Sequence, residues 1–166
     1  MTPEEKYRNL YEQMYKLCQK NNWGDPFSYS RGKEIYMATV LNHKVAETYT
    51  GADAYDEDGA CEYKSTISDE INATYNGISI QSSIEEQIKY MESDKIGAYH
   101  NHYFSRFDDG HIAEIYVMSS ETVLELLVPK VKKQYPKKKS GNLKDPRIGV
   151  GLSGAEIRAY GKKIYG

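Results

Sequence analysis

The segment GADAYDEDGACEYKST, residues 51–66, holds the side chains best able to do chemistry in this chain. Its spacing predicts a hairpin turning at Asp56-Glu57-Asp58-Gly59. Glu62 and Lys64 are two residues apart on the second arm, so a strand projects both from one face. Asp53, on the first arm, is expected to reach the same spot. Two converging carboxylates repel each other, and one loses its charge unless a cation joins them. A hard divalent ion such as Mg²⁺ suits this set, because it takes oxygen ligands and keeps several waters. The main-chain carbonyl of Tyr63 offers a further oxygen. Lys64 then orients a water or stabilises charge developing on a phosphate. That combination is the chemistry of phosphodiester hydrolysis. The plainer reading is a surface hairpin with a solvated Glu–Lys ion pair, and on this segment alone both stay open.

Charge supplies a second signal. The formal net charge is −2, but residues 1–129 carry 11 Lys/Arg against 22 Asp/Glu, while residues 130–166 carry 11 against two. Lys130, Lys132, Lys133, Lys137, Lys138, Lys139, Lys144 and Arg147, with Tyr135 among them, have the composition of a phosphate-contacting surface. A basic solvated face has the same composition. Joined to the Asp…Glu-x-Lys segment, the run points to a nucleic-acid substrate.

Other patterns exclude more than they suggest. No apolar run approaches the ~18 residues of a membrane span. The start, MTPEEKYRNL, has no apolar signal-peptide core. Cys18 and Cys61 are too few for a disulfide framework. A soluble, cytoplasmic protein without a membrane partner is expected. A calcium loop through Asp56 fails, because its first and twelfth positions are Ala54 and Ser65. Gly149-Val150-Gly151-Leu152-Ser153-Gly154 spells GxGxxG, but only 12 residues follow it, too few for a βαβ unit; a flexible strand end is expected. His100, His102 and His111, on facing arms of a later hairpin, could share a zinc ion or simply be exposed polar residues. Cys61 is expected to face away from Glu62, as a small buried hydrophobe.

The elements follow from periodicity and capping. Thr2-Pro3-Glu4-Glu5 opens a helix whose stripe of Tyr7, Leu10, Met14 and Leu17 is a core face or a dimer face. A second helix is expected from Gly32 to Asn42, then short strands at Val45–Tyr49 and Ala52–Tyr55, and a second hairpin arm at Ala60–Thr66. A polar connection leads to an extended piece at Ile78–Ile80. Ser83 caps a helix carrying Ile84, Ile88 and Met91. Ile96–Phe104 and Ile112–Met118 form a hairpin around Asp109-Gly110, and Ser120 caps a helix that Pro129 ends or kinks. A basic loop and short strands near Ile148–Leu152 and Lys163–Tyr165 close the chain. The class is α+β (mixed α/β), a central mixed sheet flanked by helices.

At this point the chain resembles a known family. GADAYDEDGACEYKS is similar to the active-site segment of the PvuII-like type II restriction endonucleases, within the PD-(D/E)xK nuclease superfamily. Asp25, Phe27, Gly32 and Lys33 match upstream, with no gap from Lys33 to Asp53. Gly77, Ser79 and Lys89-Tyr90 match downstream, as do Pro146, Ile148, Val150, Gly161 and Lys163-Ile164-Tyr165 after a short insertion. The resemblance spans about residues 25–166.

It implies a restriction-endonuclease-like fold, with an N-terminal helical dimerisation region (1–44) and a catalytic and DNA-recognition region (45–166) in one nuclease domain overall. It further implies a homodimer that hydrolyses double-stranded DNA at a short palindrome, dependent on Mg²⁺ or a substituting Mn²⁺, leaving 5′-phosphate and 3′-hydroxyl ends. Asp53 and Glu62 stand as metal ligands, Lys64 as the motif lysine, and Tyr90 beside a second metal position. The sequence departs from the family where it would contact DNA. Tyr29 replaces an aspartate, Gln81-Ser82-Ser83 replaces a run of histidines, and Lys144-Asp145 replaces an asparagine pair. These positions, with Lys137, Lys138, Lys139 and Arg147, form the expected DNA-binding set. Gln81 suits adenine, and Lys144 suits guanine or a phosphate. The hairpin is also one residue shorter between Asp53 and Glu62. None of these departures removes the catalytic trio, so cleavage is expected and the family's recognition sequence is not. A nuclease of relaxed specificity and a non-catalytic DNA-binding module are the alternatives.

Overall fold

The structure, a computed structural model, describes residues 1–47, 51–141 and 146–166. It divides into two compact units, Met1–Cys61 and Glu62–Gly166.

In the first unit, helix α1 (Pro3–Lys20) opens with the expected capping box. The Thr2 amide donates to the Glu5 carboxylate at 2.8 Å, and the Glu5 amide donates to the Thr2 hydroxyl at 3.3 Å. Helix α2 (Arg31–Leu41) ends where Asn42 turns left-handed, at φ 57°. Strands β1 (Lys44–Val45) and β2 (Ala54–Asp56) are antiparallel, and β2 pairs with the start of β3 (Gly59–Thr66). The Asp56 carboxylate accepts from the amides of Asp58 and Gly59 at 2.9 and 3.0 Å, which closes the hairpin turn. The strand expected at Val45–Tyr49 is only two residues long within the described region, and Tyr49 lies outside it. The first hairpin arm starts at Ala54 rather than Ala52, where cross-strand pairing with Cys61 begins.

The apolar stripe of α1 does not serve as a core face. Tyr7, Leu10, Met14 and Leu17 are 71, 54, 49 and 54% exposed, and only Cys18 of this helix is buried. Arg31, by contrast, is 1% exposed. Its guanidinium donates to the carbonyls of Trp23 (2.6 Å), Asp53 (3.4 Å) and Ala46, and to the Glu34 carboxylate (3.2 Å). A buried charge is tolerated only with such full satisfaction. One side chain thereby ties the loop before α2, the end of β1 and the backbone of Asp53.

The second unit holds the rest of β3, then β4 (Ala73–Ile78), α3 (Ile84–Tyr90) running into a π-helical turn at Met91–Lys95, β5 (Asn101–Asp108), β6 (His111–Ser119), α4 (Ser120–Ser140), β7 (Ile148–Leu152), α5 (Gly154–Tyr160) and β8 (Lys162–Tyr165). Strands neighbour in the order β3-β5-β6-β8, while β4 and β7 form a separate antiparallel ribbon. Inward residues of the ribbon, among them Tyr75, Ile78, Ile148 and Leu152, join Phe104, Leu127 and Ile157 in one core. The class is mixed α/β, as expected. Among the described residues, no helix is long and apolar enough to cross a membrane.

Several local expectations fail where packing overrides them. Residues 73–78 form a strand rather than a polar connection, because alternate positions Ala73 and Tyr75 enter the core while Thr74 and Asn76 face out. The strand expected at Ile96–Phe104 begins only at Asn101. Helix α4 continues through Pro129 and Pro136, although an interior proline costs roughly 3 kcal/mol. Val123, Leu127, Val131 and Tyr135, four apart, are all buried and hold it together. Its cap is Ser119, one residue before the expected Ser120, and the expected basic loop is largely its last turns. From the last glycine of the GxGxxG segment, helix α5 forms on a capping box between Ser153 and Glu156.

Arg31→Met is expected to lower unfolding stability by about 3–5 kcal/mol, because it strands three buried carbonyls and Glu34. Urea denaturation checks this against exposed Lys16→Met, which is expected to stay within about 0.5 kcal/mol of the parent.

Candidate active site

The pleat of β3 sorts its residues as expected. Cys61 and Tyr63 are buried at 0 and 4% exposure, while Glu62 and Lys64 remain partly open. The Tyr63 ring packs edge-on against Tyr103, centroids 5.6 Å apart, and this anchors the strand from the inside. On the other face the Lys64 ammonium donates to the Glu62 carboxylate, the two side chains being 25 and 16% exposed. The Ser105 hydroxyl donates to the Lys64 carbonyl at 3.5 Å, which tethers this part of β3 to β5. In the first unit Asp53 is buried. Its amide donates to the Cys61 carbonyl at 3.1 Å, and its own carbonyl accepts from Ala46 at 3.2 Å and from Arg31. The backbone of Asp53 is thereby bonded on both sides, to Cys61 and to Ala46, while the cross-strand partner of Cys61 is Ala54.

Behind Lys64 lies a polar group that the sequence reading missed. The Lys64 ammonium sits 5.1 Å above the ring of Tyr75, whose hydroxyl is 2.9 Å from Nδ1 of His102. His102 Nε2 is 3.1 Å from the Ile96 carbonyl. Tyr75 and His102 are 3 and 0% exposed. Burial lowers the His102 pKa to about 4; the Ile96 carbonyl opposes that shift and the Lys64 charge adds to it. Burial, and then the negative charge of Glu62, hold the Tyr75 phenol well above its ordinary range. The alternation of Ala73 and Tyr75 with Thr74 and Asn76 was the sequence signal that could have found Tyr75.

The histidines do not converge. His102 pairs with Met118, whereas His111 pairs with Asp108 at the far end of the β5–β6 hairpin. Six residues of strand separate the two positions, roughly 20 Å. His100 precedes the strand and is exposed. The shared zinc site is therefore ruled out, and among the described residues no three His, Cys, Asp or Glu side chains gather for a metal ion.

The remaining expected residues are exposed or engaged locally. Tyr29 is 97% exposed in the loop of the first unit, with φ 52°. Ser83 caps α3, accepting from the Glu86 amide at 3.1 Å, and Ser82 bonds the Glu86 carboxylate. The Gln81 carbonyl accepts from the Tyr135 hydroxyl at 2.9 Å and from Lys139 at 3.1 Å. Tyr90 ends α3 and packs against the core. Lys144 and Asp145 lie outside the described residues.

Lys137, Lys138 and Arg147 line a feature of their own. A groove of about 730 Å³ runs along Asn76, Gln134, Lys138, Arg147 and Gly149. A second, of about 480 Å³, shares Asn76, Gln134 and Gly149 with it and adds Thr74, Lys130, Lys133, Lys137 and Gly151. Lys130, Lys133, Gln134, Lys137 and Lys138 recur at three- and four-residue spacing, so α4 presents them along one side. The floor is the outward face of the β4–β7 ribbon, kept bare by glycine. A Cβ at Gly149 would lie 2.9 Å from the Asn76 side chain, and one at Gly151 2.8 Å from the Ala73 carbonyl. Lys130 is engaged by Glu156 and by the Gly151 carbonyl. Glu62 and Lys64 are not among the lining residues of either groove.

A scan of the chain against protein-family models finds no match, and a search of the curated proteins finds none either.

The buried His102 makes stability pH-dependent. Its pKa is about 4 folded and near 6.5 unfolded, so between these values the unfolded chain binds the extra proton. Stability is expected to fall as pH drops from 6.5 towards 4, by up to about 1.4 kcal/mol per unit from this group. Urea denaturation at pH 7.0 and 5.0 checks this, and His102→Gln is expected to flatten that part of the slope.

Proposed function

We propose that this chain is a Mg²⁺-dependent deoxyribonuclease of the PD-(D/E)xK type, acting as a homodimeric type II restriction endonuclease on a short palindrome in duplex DNA. The observation that carries the reading is the Glu62–Lys64 pair on the open face of β3. Glu62 fits a hard cation: it is a partly open carboxylate, and Mg²⁺ needs only one or two such groups plus waters and phosphate oxygens. Asp53, Glu62 and the Tyr63 carbonyl would hold the ion. When bound, it supplies Lewis-acid polarisation of the scissile phosphate and a lowered pKa for an attacking water. Lys64 orients that water or meets the charge that develops on the phosphate. Hydrolysis then leaves 5′-phosphate and 3′-hydroxyl ends. The arrangement of strands about this pair is, on this reading, a restriction-endonuclease-like core.

The cationic grooves support DNA as the partner, since phosphate contacts dominate affinity for nucleic acid. They equally favour a second reading, a DNA-binding module without catalysis, and the cleavage test separates the two. The exposed stripe on α1 supports the dimer. An apolar row of this length on a surface helix calls for a cover, and a second copy of the same helix supplies a self-complementary one. Two copies related by a two-fold axis would also match the symmetry of a palindrome.

Incubation with plasmid is expected to give discrete fragments in Mg²⁺ and none in EDTA. Lys64→Ala and Asp53→Ala are expected to abolish cleavage while holding DNA affinity, measured by gel shift, within a few-fold. Full cleavage by either variant would discard the site, a smear would indicate relaxed specificity, and salt-sensitive binding of intact plasmid would leave the binding module. Light scattering is expected to report a dimer that Leu10→Glu with Leu17→Glu converts to a folded monomer; a wild-type monomer would remove the dimer.

A further inference from the structure

An ammonium on a four-carbon stem is not aimed by one partner alone, and Glu62 is a poor sole partner for Lys64. A carboxylate that ligates a divalent ion has less negative charge left for a lysine. The face of an aromatic ring is unaffected by such an ion. Tyr75 presents that face, 5.1 Å from the Lys64 ammonium, within the range of a cation–π contact.

The ring is itself held. A carbonyl only accepts, so the Ile96 oxygen requires the proton of His102 to reside on Nε2. Nδ1 is then the acceptor, and the Tyr75 hydroxyl donates to it at 2.9 Å. Tyr99 meets the imidazole edge-on, centroids 5.9 Å apart, and limits its rotation. Burial keeps the phenol protonated and the imidazole neutral, so this donor–acceptor order is retained at ordinary pH. Phenylalanine and leucine would fill these core positions without desolvating two polar groups. The polar pair instead fixes the plane of one ring.

We propose that Tyr75 is a positioning residue for Lys64: its ring is the platform under the ammonium, and His102, anchored on the Ile96 carbonyl, fixes that platform. The proposal rests on the nuclease reading, because the aim of Lys64 matters only if Lys64 acts on the phosphate.

The test joins a direct contact measurement to kinetics. In the NMR spectrum of the whole protein, the Lys64 ε-methylene signals are identified by their loss in Lys64→Ala. They are expected to show nuclear Overhauser contacts to the Tyr75 ring with and without Mg²⁺, and to be displaced upfield. Tyr75→Phe is expected to keep the displacement and Tyr75→Leu to abolish it. Single-turnover cleavage at saturating DNA is expected to fall about tenfold in Tyr75→Leu and about threefold in Tyr75→Phe, at unchanged DNA affinity. Absence of the contact in the wild type overturns the proposal, and that measurement needs no variant to fold. Wild-type cleavage by a folded Tyr75→Leu overturns it as well. A wild-type protein that shows the contact but cuts no DNA keeps the platform and loses the nuclease reading.

Discussion

The period-two pleat of β3 is the constraint on which the rest of the site depends. With Cys61 and Tyr63 committed to the interior, Glu62 and Lys64 must share the opposite face, since a strand offers only two sides. A slip of one residue in the pairing with β2 would bury the ion pair and expose two apolar side chains, so register is specified by burial. The hairpin turn at Asp56–Gly59 sets where that register begins, and Tyr63 packed on Tyr103 holds it from below.

Polar groups buried deliberately do the remaining positioning. In the first unit Arg31 gathers three backbone carbonyls, and one belongs to Asp53. In the second unit the buried Tyr75 and His102 satisfy each other. Both arrangements are demanding, because a buried donor or acceptor left unmade is expensive. The same demand makes them directional. An apolar core residue can rotate or shift with modest loss, whereas a bidentate or chained hydrogen bond fixes an angle. On the proposed reading, the residues aimed in this way are the ones the chemistry uses.

Helix α4 shows how one element can serve both stability and surface charge. Its buried four-residue row keeps it helical through two prolines, while lysines along its flank line the glycine-floored grooves of the β4–β7 ribbon. The basic run is therefore an ordered surface over most of its length, with charges at fixed intervals, and not a loose tail. The distinction matters for a phosphate partner. A fixed row of cations selects spacing as well as sign.

Much was legible in the sequence because it depends on neighbours along the chain. The capping box at Thr2, the cap at Ser83, the turns at Asp56–Gly59 and Asp109-Gly110, and the alternation at residues 61–64 are local, and the structure bears them out; the reciprocal half of a box at Ser83 does not form, since the Glu86 carboxylate bonds Ser82. The adjacency of Glu62 and Lys64 belongs with them. The tertiary structure decided what depends on distant partners. It made 73–78 a strand, carried α4 past Pro129, formed α5, buried Arg31, and sent His102 inward and His111 to the far end of its hairpin. Tyr75 under Lys64 is the clearest case: eleven positions separate the two in sequence, and only the packing of the ribbon against the core brings the ring beneath the ammonium. Local hydrogen bonds and pleat reveal which residues share a face, but burial is a property of the whole chain, and it decides what lies behind that face.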